Sequence, residues 1–267
     1  NRVDPMDSRN EMFGHLSRST AAQIKTAKMI ENKEDNLYEL LDVTLRQRIS
    51  VCSDERFSQQ NAMAGCSGSL VGPDLLVTAG HCVDQKACEN KKFRWVFDYR
   101  QSEIAGEKTP TLEADNVYGC KEVVKREFDS NTKSDFALVR LDRKVTDREP
   151  LKFRTYGKVR TGAPLVVIGH PSGLPTKIAD GASVKGNDAD YYFATDLDTF
   201  RVNSGSAVFN TETGFIEGVL VRGALDYRAD PVRKCRVVNK CNGLSPRGCG
   251  GEKVTRIRKV EIQKFLK

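Results

Sequence analysis

Imidazole chemistry in this chain has three candidates: His15, His81 and His170 are its only histidines. His81 lies in the run Leu76-Val77-Thr78-Ala79-Gly80-His81-Cys82, beside Cys82 and after a strand-like apolar stretch. A second run, Ser134-Asp135-Phe136-Ala137-Leu138-Val139-Arg140-Leu141, places an aspartate at the mouth of another apolar stretch. A third, Asn203-Ser204-Gly205-Ser206-Ala207-Val208-Phe209, puts two serines in a tight glycine-bearing turn. A serine hydroxyl is a poor nucleophile until a base takes its proton. A histidine can be that base and later protonate the leaving amine. An aspartate can hold the imidazole tautomer and stabilise its charged form. Backbone N–H groups of such a turn can face a developing oxyanion.

The elements around these runs must hold them in place. From Cys52 onward the chain consists of short apolar stretches separated by turns, among them Gly68–Val71, Leu75–Ala79, Phe93–Phe97, Phe136–Leu141, Leu165–Gly169 and Phe215–Val221. Such lengths and spacing predict an all-β sandwich or barrel. Residues 1–50 differ in texture. Ser19 and Thr20 could cap a helix running through Ala21, Ala22, Ile24, Ala27 and Ile30. The following cluster, Leu37, Leu40, Leu41, Val43 and Leu45, fits helix or strand. At the other end, Val254, Ile257, Val260 and Phe265 share one helical stripe, which predicts a C-terminal helix.

Composition narrows the function classes. The chain has 267 residues, 39% hydrophobic and 30% charged, enough to bury a core. No run reaches the roughly 18 apolar residues of a membrane span. Lys and Arg number 43 against 36 Asp and Glu, a net +7, but the charges are mixed along the chain. Lys121, Lys125 and Arg126 read as solvated surface, and no zinc-finger spacing or basic tail points to nucleic acid. No acidic cluster has calcium-loop spacing, so no metal or other cofactor is expected. The eight cysteines, Cys52, Cys66, Cys82, Cys88, Cys120, Cys235, Cys241 and Cys249, contain no CxxC pair. An even set at wide spacing fits up to four disulfides formed in an oxidising compartment. The cysteines imply secretion or periplasmic export, and because the chain begins with Asn rather than Met a removed leader or propeptide is expected.

The three runs together resemble the chymotrypsin-like serine peptidases, in a bacterial branch similar to the glutamyl endopeptidases. The Thr78-Ala79-Gly80-His81-Cys82 box, the box that begins at Asp135 and the Asn203-Ser204-Gly205-Ser206 box carry the likeness. It covers residues 60–225 in detail and 50–267 in outline. It implies two six-stranded antiparallel β-barrels with the site between them and a C-terminal helix. Residues 1–50 would be a partly helical N-terminal extension or pro-region, 51–160 the barrel carrying His81 and Asp135, and 161–267 the barrel carrying Ser204. His81, Asp135 and Ser204 take the catalytic positions, Ser206 that of a small neighbour, and Cys66–Cys82 a disulfide bracing the histidine loop. The N–H groups of Val202 and Ser204 would form the oxyanion hole. Gly169-His170-Pro171-Ser172-Gly173 matches a loop beside the substrate cleft, which makes His170 a substrate-contact candidate. Asn203 stands where animal trypsins have Asp, so activation through a clipped N-terminus does not carry over in the same form. Val202 stands where active relatives have Gly, and its side chain sets the peptide's orientation in question.

The resemblance also addresses which bond is cut. Glutamyl specialists carry a histidine on the strand walling the primary pocket, and here that position is Leu220. Asp198, six positions before Ser204, matches the base of the pocket and implies preference for Arg or Lys, with Thr199 beside it. Leu220 and Val221 could instead narrow the pocket for small apolar side chains, and Gly223 could pair with an extended substrate. Phe200 replaces the family cysteine near this loop. The expected activity is that of a monomeric serine endopeptidase acting on peptide or protein substrates. The alternatives are small-apolar specificity, or a protease-like binding protein with a collapsed oxyanion hole.

Overall fold

The computed structural model describes residues 2–104, 109–223, 225–240 and 251–266. Two antiparallel sheets carry the site. The first runs, in spatial order, Cys120–Phe128, Asp135–Leu141, Leu75–Thr78, Cys66–Leu70, Thr20–Lys25, Phe93–Phe97 and Val117–Tyr118. The second closes on itself through six strands: Lys177–Gly186, Pro164–Gly169, Ala207–Asn210, Ile216–Arg222, Glu252–Arg256, Tyr192–Thr195 and back to Lys177–Gly186. Arg2–Val3 pairs on the outside of Lys177–Gly186.

The expectation of two closed six-stranded barrels is therefore corrected: one barrel closes and the other sheet stays open and curled. Strand length explains the difference. Lys177–Gly186 spans ten residues, so Pro164–Gly169 pairs along one part of it and Tyr192–Thr195 along the other, past a bulge. At the edge of the first sheet Val117–Tyr118 is only two residues long and pairs with Trp95 and Val96 alone. No ladder among the described residues joins it to Cys120–Phe128 at the opposite edge.

Two further expectations about the ends fall with it. Thr20–Lys25 is a strand, flanked by Cys66–Leu70 and Phe93–Phe97, not a helix. Thr20 through Ile24 are all buried, so the run lacks the alternation that marks a half-exposed strand. The helix lies earlier, Glu11–Arg18, with Asn10 Oδ1 accepting from the Met12 N–H as its cap. At the C-terminus Glu261 sits at φ +58° and splits the apolar stripe into two 3-10 turns, Ile257–Lys259 and Ile262–Phe265. Ile257, Val260 and Ile262 still enter the core. The cluster after residue 36 divides into a strand, Leu37–Leu40, and a short helix, Leu45–Ile49.

Strand alternation builds three layers of core. Along Asp135–Leu141, Ala137 and Val139 point into the curl of the first sheet with Trp95 and Phe97. Phe136 and Leu138 point the other way, against Ile168, Phe209 and Val219 of the barrel. Leu165, Val167 and Val208 fill the barrel itself. Both faces of the aspartate-bearing strand are thus buried, which fixes its register and the depth of Asp135.

Candidate active site

His81 lies in a 3-10 turn, Gly80–Cys82, just past the strand Leu75–Thr78, and Asp135 opens the neighbouring strand. The two meet twice: the His81 backbone N–H donates to Asp135 Oδ1 at 3.0 Å, and ring Nδ1 lies 2.7 Å from Oδ2. The Asp135 side chain is 1% exposed and the His81 ring 33% exposed. A buried carboxylate thus holds one edge of the ring and leaves the other toward solvent. Gly80 permits this approach, because a Cβ there would stand 2.2 Å from the Glu127 carbonyl oxygen.

Ser204 belongs to the turn before the barrel strand Ala207–Asn210. Its carbonyl accepts the Ser67 N–H at 2.8 Å, so the turn is stitched to the first sheet. Cys66, beside Ser67, is disulfide-bonded to Cys82, beside His81. Gly205 has φ +89°, and a Cβ there would lie 2.0 Å from the Ser67 carbonyl oxygen. Only glycine lets the two sheets approach so closely. The two serines differ plainly. Ser206 is buried and donates to Asn203 Oδ1 at 2.7 Å, whereas Ser204 is half-buried with no side-chain hydrogen bond among the described residues.

The orientation of the Val202 peptide is set by its neighbours. The Asn203 N–H donates to the Phe200 carbonyl at 3.1 Å, closing a four-residue turn with Val202 in third place at φ +72°. That is the place where a type II turn takes a positive φ, usually with glycine. The Arg201 carbonyl accepts the Ser172 N–H at 2.7 Å. In a trans peptide C=O and N–H point opposite ways, so the Val202 N–H is turned away from Ser172. Neither it nor the Ser204 N–H has a hydrogen-bond partner among the described residues. The Arg201 N–H in turn donates to Asp226 Oδ2 at 2.7 Å.

The specificity candidates separate into two groups. Asp198 and Thr199 line a cavity of about 740 Å³, with Asp196, Asp226 and Glu252 also on its wall. Asp198 is exposed there and Thr199 buried. Leu220 packs inside the barrel and Val221 between the sheets, so neither lines that cavity, while Gly223 is exposed at the strand's end. His170 is fully buried: its N–H donates to Ser67 Oγ and its Nδ1 faces the Leu174 carbonyl. It supports the loop rather than lining the open cleft. Burial pushes its pKa down to about 3 against the pull of the Leu174 carbonyl, with the Lys177 charge adding to the depression.

Four residues not named as site candidates from the sequence also stand at the site, Ser172 within a matched loop and the other three outside any motif. Ser172, Asp226 and Arg2 surround the Val202 turn, and the exposed ring of Phe128 lies 6.1 Å from the His81 ring. Cys66, His81 and Cys82 form a compact group of potential metal-ligand atoms, but the disulfide consumes both sulfurs. Two further disulfides join Cys52 to Cys235 and Cys88 to Cys120; Cys241 and Cys249 lie outside the described residues.

Comparison with known proteins bears on this arrangement. No curated protein sequence matches the chain. Among solved structures, the active form of the Rv3671c protease from M. tuberculosis is 15% identical with a TM-score of 0.53, over 98% of this chain and 86% of that one. Human heparin binding protein is 13% identical with a TM-score of 0.56, over 94% and 92%. The VesB protease of Vibrio cholerae is 12% identical with a TM-score of 0.56, over 99% of this chain and 65% of that one. At such identities the likeness is one of fold. The family described as trypsin-like peptidase domain matches residues 66–219, a span that holds His81, Asp135 and Ser204, and the chain belongs to that family.

Proposed function

We propose that this protein is a serine endopeptidase that cleaves peptide bonds through an acyl-enzyme. Ser204 Oγ attacks the scissile carbonyl while His81 accepts its proton, and His81 then protonates the leaving amine. Asp135 holds the Nδ1 edge of the ring and stabilises the imidazolium. The N–H groups of Val202 and Ser204 receive the oxyanion. Water repeats the sequence to release the acyl group.

The observation that carries this reading is the Arg201 carbonyl bound to the Ser172 N–H, with the Val202 and Ser204 N–H groups both without a hydrogen-bond partner among the described residues. A binding protein with a collapsed hole has no need of a strained valine turn held in this sense. The 2.7 Å contact of His81 with a buried Asp135 adds to it. The competing reading draws on the fold mate named for heparin binding and on Ser204 Oγ, which makes no hydrogen bond to His81 among the described residues. Labelling with a fluorophosphonate decides between them. Stoichiometric capture at Ser204, abolished by Ser204→Ala, is expected, and failure to label under any condition overturns the peptidase.

For specificity we favour Arg or Lys at the cleaved position. On the wall of the cavity beside Asp198 carboxylates outnumber the cations Arg2, Arg56 and Lys240, and Leu220 and Val221, the residues that would narrow a pocket for small side chains, are buried in the cores. Cleavage after Glu is not proposed, despite the likeness of Asn203 and the Gly169–Gly173 loop to the glutamyl-endopeptidase branch. The three disulfides fit an oxidising compartment, so we place the enzyme outside the cytoplasm, secreted or periplasmic, acting as a monomer. No helix among the described residues is long and apolar enough to cross a membrane.

A further inference from the structure

The Arg2 side chain is one of the buried charged side chains among the described residues, at 6% exposed. Its backbone sits in the strand pairing of Arg2 with Ala179 and Val3 with Ile178, and its carbonyl accepts from Arg56 Nη2 at 2.7 Å. The side chain leaves that strand and lays its guanidinium 3.5 Å from the centre of the Phe200 ring, with the Phe57 ring at 5.4 Å. Nη1 is buried without a hydrogen-bond partner among the described residues. Burying a charge with an unmatched donor costs stability, so this contact is not explained by stability alone.

Phe200 is the first residue of the turn that holds Val202 at φ +72°. Its ring packs 5.4 Å from that of Tyr227, whose hydroxyl lies 2.8 Å from Ser172 Oγ. Ser172 is itself at φ +57° and supplies the N–H that pins the Arg201 carbonyl. Two residues are thus kept in the left-handed region, and such conformations persist only where the surroundings over-determine them. Both lead back through aromatic rings to one guanidinium. Tyr227 and Asp198 act on Arg2 in the sense that favours its charged form, opposing the larger effect of burial.

We propose that Arg2 is a positioning residue, its guanidinium wedged against Phe200 so that the Phe200–Asn203 turn presents the Val202 N–H beside Ser204. The proposal rests on the peptidase reading of that turn. Arg suits the task because a planar guanidinium stacks on an aromatic face, which a lysine ammonium does not do in the same way.

The test is Arg2→Ala, with Arg2→Met in reserve should the alanine variant fail to fold. The strand pairing and the part-buried Asp4–Lys177 ion pair are expected to keep residues 2–4 docked in either variant. Fluorophosphonate capture of Ser204 is expected to slow about tenfold or more, since oxyanion donors are worth roughly 10²–10³ in turnover. On a peptide substrate the loss is expected in kcat, with KM little changed. Millimolar methylguanidine is expected to restore part of the rate, and methylammonium is not. Hydrogen exchange of the amides from Phe200 to Gly205 is expected to quicken, with the strand Asp135–Leu141 unaffected. Unchanged exchange in the turn overturns the proposal, as does acceleration spread over the whole molecule. Unchanged capture in a variant of a protein that does label overturns it too. A native protein that never labels, with exchange still quickened only at the turn in the variant, would keep the clamp and remove the peptidase.

Discussion

Val202 carries a β-branched side chain in a backbone region that such residues rarely enter. The conformation costs on the order of 1–2 kcal/mol for an L-residue, against roughly 0.5–1 kcal/mol of extra chain entropy for glycine. Val202→Gly is therefore expected to leave stability unchanged or raise it by up to about 1 kcal/mol, read as a urea midpoint. Capture of Ser204 should stay within about threefold, because the N–H is retained and only the side chain goes. A collapse of capture in Val202→Gly would mean that the valine side chain, not the peptide, shapes the hole. At this scale the sequence was informative where chemistry is local. His81, Asp135 and Ser204 each sit in a run whose neighbours define them, and Val202 was conspicuous for not being glycine. Arg2 and Asp226 were silent, since Arg2 reaches Phe200 across 198 positions of chain and neither lies in a motif.

Between elements, the seam at Ser67 and Ser204 matters more than any single side chain. The strand Cys66–Leu70 gives its Ser67 N–H to the Ser204 carbonyl, and Thr78 Oγ1 donates to the Ser67 carbonyl. Gly205 lies against that same carbonyl. Gly205→Ala meets backbone rather than a movable side chain and also forces alanine to φ +89°, so the turn must withdraw from the first sheet. Loss of capture at Ser204 by about a hundredfold or more is expected, comparable to losing an oxyanion donor. Circular dichroism should show the sheets retained, and native capture rates in Gly205→Ala would contradict this account of the seam. The apolar runs from residue 66 onward were legible as strands because each is short and bounded by turns. Thr20–Lys25 was not, because a strand buried on both faces has no period to read. Whether a sheet closes was equally hidden, as it depends on the reach of a two-residue edge strand.

For the molecule as a whole, the buried His170 makes stability depend on pH. Folded, it stays neutral until about pH 3, while the unfolded chain's histidine takes up a proton near 6.5. Between those values the unfolded state binds more protons, so this contribution is complete above pH 6.5 and is lost as the pH falls toward 3. The slope is at most about 1.4 kcal/mol per pH unit, or roughly 2–3 kcal/mol by pH 4.5. His170→Phe should remove this part of the acid limb. Its stability deficit relative to the native protein is expected to shrink from pH 7 to 4.5, measured by urea unfolding at each pH. A deficit constant over that range would place the charge change elsewhere.

The bond between Cys52 and Cys235 joins the segment that lies between the strands Thr20–Lys25 and Cys66–Leu70 of the first sheet to a hairpin inserted before the last strand of the barrel. It spans 183 positions and encloses the passage from Asp135–Leu141, in the first sheet, to Pro164–Gly169, in the barrel. A cut anywhere in that passage leaves both halves in one covalent particle. Where fragments that drift apart would be lost for good, such a staple lets a nicked molecule keep its two halves in register.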